Sequence, residues 1–272
     1  MRLEKILIDI YDMISKESIL EIEKISKKTG ICDGKSFSSY RTVLMNSSDL
    51  IKRKWKSKRK YLRTAFVKQA LGNSYPEKIL KISLSVDSII NILDDLFDEK
   101  LDTVTKSLLI IEIGKLLGFL NRQEAFDKEI AKVFGGYLHK IVFMGITEKI
   151  LKETLKGADG KKFFEIAVPM YSVRSMDIDF FVQIADKKLL RDARIFRVLN
   201  LIKKDVDDIH HDIESGNETP ITMLYRKDKK LLRKFIEKFL KRYSRYIHSM
   251  NSGFKRMCEN ETKNIKKRIE NI

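Results

Sequence analysis

The chain is predicted to be all-α, one large helical bundle over residues 1–272, on three observations. Three prolines and twelve glycines in 272 residues leave few positions that break a helix. Long stretches of Ile, Leu, Lys and Glu place apolar residues three and four apart, the period of a helix face. Few runs alternate as a half-buried strand does, and a hydrophobic content of 43% is ample for a packed core.

Taken in order, helices are expected at residues 2–15 and 17–28, followed by a loop over Gly30 to Ser38. A basic segment from Ser39 to Leu71, containing IKRKWKSKRKYLR, reads as one or two helices and ends at the break Gly72 to Pro76. The chain is organised around the next stretch, Glu77 to Glu99, EKILKISLSVDSIINILDDLFDE. Ile82, Val86, Ile89, Ile90, Leu93 and Phe97 form its apolar face, and Asp87, Asn91, Asp94, Asp95 and Asp98 form a polar stripe. A helix of about 35 Å with this pattern belongs inside a bundle, where its carboxylates need cations or donors.

Apolar helices then cover residues 101–121 and 126–139, with less regular chain expected around Gly135, Gly136 and Gly145. LKGADGKKFF, residues 155–164, interrupts the pattern, and Pro169 is placed to kink the following helix. A second interior helix runs from Lys188 to Ile213 and stops at SGNETP; two amphipathic, strongly basic helices complete the chain.

Cys32 and Cys258 match no metal-ligand spacing and read as free thiols of a reducing cytosol, so a cytoplasmic protein is expected. The amino terminus carries acidic residues inside its apolar run and fails as a signal peptide, while the most apolar window, Leu108 to Ile113, is too short to span a bilayer. A net charge of +17 attracts polyanions of several kinds: nucleic acid, an anionic membrane surface or diphosphate esters.

Two acidic constellations carry chemistry. Asp94, Asp95 and Asp98 have the spacing DDxxD, with Asp94 and Asp98 one turn apart. Asp205, Asp208 and Asp212 share one face of the second interior helix, with Asp207 pointing away. Clustered carboxylates suit Mg²⁺, which keeps several waters and takes one or two carboxylates together with substrate phosphate oxygens. Both helices are apolar runs that end in acids, as expected if their carboxylates face one cavity with an apolar floor. His210 and His211 adjoin the second group as candidate ligands or a general base.

At these residues the chain resembles the class I isoprenoid synthases, most closely the trans-polyprenyl diphosphate synthases. NILDDLFDE, Asn91 to Glu99, is similar to the family's first aspartate-rich motif, LIHDDxxDE; DGKSFSSYR, Asp33 to Arg41, is faintly similar to its glycine-lysine-arginine segment; Asp205 to Asp212 with IESGNETPITMLY resembles its second motif. The likeness covers most of residues 30–225. It departs in three places. Lys100, Leu101 and Asp102 replace the paired arginines, the phenylalanine-glutamine pair before the second motif is absent, and Asn217 replaces a lysine.

The resemblance implies an isoprenoid synthase bundle with an apolar central cavity. It implies a prenyltransferase in which three Mg²⁺ ions, held by Asp94, Asp95, Asp98, Asp205, Asp208 and Asp212, grip an allylic isoprenyl diphosphate whose carbocation is captured by isopentenyl diphosphate. Asp94, Asp95, Asp98, Asp208 and Asp212 are the expected catalytic residues, and Lys35, Arg41, Lys161, Lys162 and Lys204, with Lys203, are candidates for diphosphate. Ile89 and Ile90 fall at the chain-length pocket, and a homodimer is implied. The alternatives in the same fold are a terpene cyclase, a squalene- or phytoene-synthase-like enzyme, or a non-catalytic partner subunit. The rival from another class is nucleic-acid binding through Lys52 to Arg63, where Trp55 and Tyr61 punctuate the cations, but no nucleic-acid fold signature accompanies the run. Contact of that run with an anionic membrane surface is the other use for it.

Overall fold

The computed structural model describes residues 3–29, most of 38–49, 61–98 and 101–270. These described residues are helical and contain no strand, as the all-α expectation requires. Lys35, Cys32 and the basic run at 52–60 lie outside the described residues. The chain divides into two compact units, one comprising residues 1–66 and 76–131, the other 67–75 and 132–272.

In the first unit, α1 (Leu3–Thr29) is one uninterrupted helix where a break near residue 16 was expected. Ile6, Leu7, Ile10, Tyr11 and Ile14 keep the spacing of one apolar face and are buried against α3 (Leu80–Asp98) and α4 (Thr103–Asn121). A short 3₁₀ turn, Glu77–Ile79, leads into α3. That helix is buried on every side from Ile82 to Ile90 and therefore is an interior helix.

Its polar stripe is answered in its first half by α2 (Leu62–Leu71). Arg63 Nη1 donates to Asp87 Oδ1 at 3.0 Å and to Asn91 Oδ1 at 2.9 Å, and the Thr64 N–H donates to Asp87 Oδ2 at 2.9 Å. Beyond Ile92 the helix emerges, and Phe97, expected on the buried face, is 79% exposed. Asp102 caps α4 by accepting from the Thr105 N–H, and hydrogen bonds from the Thr105 hydroxyl first and its N–H second hold the Asp102 carboxyl below the usual range. An aspartate here starts a helix, and that is the local role of a residue standing in the stretch where the resembling family has arginines.

In the second unit, α5 (Lys128–Lys156) runs through Gly135, Gly136 and Gly145 without a break, contrary to expectation, because isolated glycines cost a helix only about 1 kcal/mol each. The interruption at Gly157 to Asp159 is present, and α6 (Gly160–Arg174) continues past Pro169. Next come α7 (Asp179–Asp186) and α8 (Leu190–Asp207). Ala193, Phe196, Val198, Leu199 and Ile202 bury α8 against α12 (Ser252–Glu270), α7 and α6. A single helix was expected to Ile213, but the chain bends at Asp208 into α9 (Ile209–Glu214).

The Thr219–Thr222 capping box and Pro220 then start α10 (Pro220–Lys227), and Asp228 caps α11 (Lys229–Ile247). Phe163 and Phe164 of α6 meet Phe235 and Phe239 of α11 edge-on, and Tyr171 meets Phe239 at 5.5 Å. Gly253 is required by a close approach, since a Cβ there would lie 1.8 Å from the Ala70 carbonyl oxygen.

Candidate functional site

The second acidic constellation is best followed outward from α8. Its buried apolar residues carry the helix through the interior of the second unit, and the carboxylates follow at its carboxy-terminal end. Those carboxylates have different environments.

Asp205 is buried and held by protein groups. Arg174 donates to it through Nη1 at 2.9 Å and Nη2 at 3.4 Å, and the Tyr171 hydroxyl donates at 2.7 Å. Glu148 adds a second carboxylate 3.7 Å from Arg174 Nε. Burial opposes the guanidinium's charge, yet Asp205 and Glu148 outweigh it and hold Arg174 protonated well above its ordinary range. Burial, followed by the adjoining Asp205 charge, pushes the Tyr171 hydroxyl up, so it remains a donor.

Asp207 points to the surface and pairs with Lys203 at 2.8 Å and Arg268 at 3.0 Å. Asp208 stands at the junction of α8 and α9 with φ −93° and ψ 6°, and caps neither helix with its side chain. Its half-buried carboxylate has no hydrogen-bond or ion-pair partner among the described residues. Asp212 follows one turn later, its N–H donating to the Asp208 carbonyl at 2.8 Å. It is buried and accepts at Oδ1 from Asn217 Nδ2 at 3.0 Å, while the Asn217 N–H donates to the Asp212 carbonyl at 2.8 Å. Asn217 thus fixes both the turn after α9 and one oxygen of Asp212.

Ile89 and Ile90 are fully buried in the first unit, Asp94 is exposed and Asp95 half-buried near the end of α3. The side chain of Asp98, the last residue of α3, lies outside the described set, as does Lys35. Arg41, Lys161, Lys162 and Lys204 are exposed, Lys161 facing Glu165 at 3.6 Å. His210 packs edge-on against Tyr225, and His211 is exposed.

Among the described residues no group of three or more His, Cys, Asp or Glu is placed to hold a metal ion. The donor chemistry that is present is a pair of hard carboxylate oxygens, Asp208 and Asp212, one turn apart. That number is within what magnesium takes from protein when substrate phosphate and water complete its shell.

Sequence reasoning missed Tyr171 and Arg174, and read Asn217 only as the replacement of a lysine, where it orients Asp212. Arg174 is three residues after Tyr171 at the end of an apolar helix, so a partner for a buried arginine was the available signal. No protein-family model matches this chain, and no curated protein or solved structure shows significant similarity to it.

Proposed function

We propose that the chain is a Mg²⁺-dependent isoprenyl diphosphate synthase, a prenyltransferase that condenses an allylic diphosphate with isopentenyl diphosphate through an allylic carbocation. The observation that carries the reading is the end of α8, where an apolar interior helix delivers Asp208 with an uncommitted carboxylate and Asp212 oriented by Asn217. The same sequence design, an apolar interior helix ending in Asp94, Asp95 and Asp98, is written in α3. Magnesium, when bound, would supply charge neutralisation for the departing diphosphate.

In this reading Asp208 and Asp212 are the metal ligands of the second motif, with Asn217 holding Asp212 in place. Asp205 serves structure, because its oxygens already receive Arg174 and Tyr171. Asp94, Asp95 and Asp98 are the carboxylates of the first motif, Lys204 with Lys161, Lys162 and Arg41 are the diphosphate candidates, and Ile89 and Ile90 belong to the apolar environment that sets chain length. The bundle would be of the isoprenoid synthase type.

A homodimer belongs to the same proposal, and α5 carries a surface suited to it. Val142, Phe143, Ile146 and Ile150 are 60%, 56%, 58% and 61% exposed and fall within one stripe of the helix. Pairing α5 with a second copy about a two-fold axis between Val142 and Phe143 sets Ile150 opposite Gly135 and Gly136, where a Cβ would meet nothing within 4 Å. The same register sets exposed Lys132 opposite exposed Glu153, so shape and charge are both self-complementary.

The test is incubation of the purified protein with Mg²⁺ and labelled geranyl, farnesyl or geranylgeranyl diphosphate, with and without isopentenyl diphosphate, followed by product analysis. Elongated diphosphates that require the acceptor and vanish in Asp208→Ala and Asp94→Ala are expected. Hydrocarbon or alcohol released without acceptor would instead make the chain a cyclase of the same fold, and absence of turnover would make it a binding or partner subunit.

A further inference from the structure

The carboxy-terminal helices carry a charged surface that the reaction does not use. On α11, Lys230, Lys234, Lys238, Lys241 and Arg245 follow one another at steps of four, four, three and four residues. Those steps keep all five within one stripe, a row of about 22 Å, with the exposed Glu237 the one acid of α11 and at the edge of the stripe. All five are exposed, and none has an acidic ion-pair partner among the described residues. Lys238 Nζ lies over the Phe164 ring at 4.2 Å from its centroid, and the residue as a whole is exposed.

The opposite face of α11 is committed to the core through Phe235, Ile236 and Phe239. The helix therefore has no apolar face to insert into anything, and what it offers is charge along a straight line. At the row's two ends stand Leu231 and Tyr246, each about two-fifths exposed, side chains that settle readily at a headgroup boundary.

We propose that this row is a docking surface for an anionic phospholipid membrane, on which the protein adsorbs with α11 parallel to the plane. The inference does not depend on the enzymatic reading, because it uses none of the acidic residues. A straight row of cations without acidic partners among the described residues, on a helix whose opposite face is buried, matches a flat array of phosphates, and contact made mainly by charge is reversible. Single-stranded nucleic acid fits less well, since it needs free aromatic faces on which bases stack. The aromatics flanking the row have theirs taken: Arg191 lies over Tyr246 at 5.3 Å and Lys229 over Tyr225 at 4.9 Å.

The experiment is co-sedimentation of the full chain with vesicles of phosphatidylcholine alone and of phosphatidylcholine mixed with phosphatidylglycerol, at low and high salt. Binding only to the mixed vesicles, abolished by salt, is expected. The triple variant Lys234→Gln/Lys238→Gln/Lys241→Gln should partition on the order of 100-fold more weakly, at about fivefold for each cation lost. The corresponding Lys→Arg variant should bind as the parent does, which separates charge from folding. Undiminished binding of the Gln variant would overturn the proposal. So would equal partitioning to neutral vesicles, or row-dependent binding of single-stranded RNA with no binding to mixed vesicles.

Discussion

Replacing Asp205 with asparagine separates a structural carboxylate from a metal ligand by the sign of a stability change. Asp205 is buried and Arg174 largely so, with side chains 3% and 14% exposed, and the pair is closed by the Tyr171 hydroxyl. Removing one partner of a buried ion pair strands the other charge and costs about 3–5 kcal/mol. Asparagine keeps one acceptor oxygen, and Glu148 remains 3.7 Å from Arg174 Nε. The loss for Asp205→Asn should therefore fall at the low end, about 3 kcal/mol, out of a typical total of roughly 5–15.

Arg174→Met should cost a similar amount. The double variant should cost clearly less than the two together, because neither charge is then left alone. The assay is urea denaturation followed by circular dichroism, with the four proteins forming one double-mutant cycle in metal-free buffer. A carboxylate placed for metal behaves in the opposite way: Asp208 has no cationic partner among the described residues, so Asp208→Asn should leave metal-free stability within about 0.5 kcal/mol of the parent. If Asp205→Asn proved neutral or stabilising without metal, its ion pair with Arg174 would have no energetic weight. Asp205 would then return to the set of metal ligands.

Gly253→Ala should be among the most damaging single-methyl changes in the chain, since the new Cβ would lie 1.8 Å from the Ala70 carbonyl oxygen and 2.6 Å from its carbon. Backbone must move to admit it, and a loss of about 3 kcal/mol or more is expected in the same urea assay, where Gly114→Ala, whose Cβ would meet nothing within 4 Å, should cost nothing. Burial, with Asp192, Glu261 and Glu259 nearby, pushes the Cys258 thiol up to about 12 from an ordinary 9.0. Because the folded thiol keeps its proton after the unfolded one has lost it, its contribution to stability is intact below pH 9 and is lost as pH climbs towards 12. Relative to Cys258→Ala, the parent should lose stability over that window, and in a Cys32→Ser background it should resist a thiol reagent at neutral pH until unfolded. Ile146→Arg on α5 should shift a dimeric parent to monomer in light scattering without changing the circular dichroism spectrum; an unchanged dimer would place the interface elsewhere.

How far the sequence could be read depends on what each pattern reports. Apolar periodicity reports burial against something, and it located the interior helices α3 and α8 because their buried runs are long. It could not say where burial stops: Phe97 continues the period of α3 yet is exposed, while its neighbour Leu96 is half-buried. Glycine was overread in α5 because its cost to a helix is small beside the tertiary contacts made by Phe134 and Tyr137.

Carboxylate spacing reports a shared face and is silent about which groups already answer it. Asp87 and Asp205 lie on acidic stripes by period, but one is taken by Arg63 and the other by Arg174, residues distant in sequence from the motif that they neutralise. A buried arginine therefore subtracts a nearby aspartate from any proposed metal set. Applied to the second stripe, that subtraction removes Asp205 through Arg174, while the surface pairs with Lys203 and Arg268 engage Asp207. What survives is Asp208 and Asp212, the two whose carboxylates no cation of the described chain neutralises, and at this end of α8 the chemistry proposed here has to be done by them.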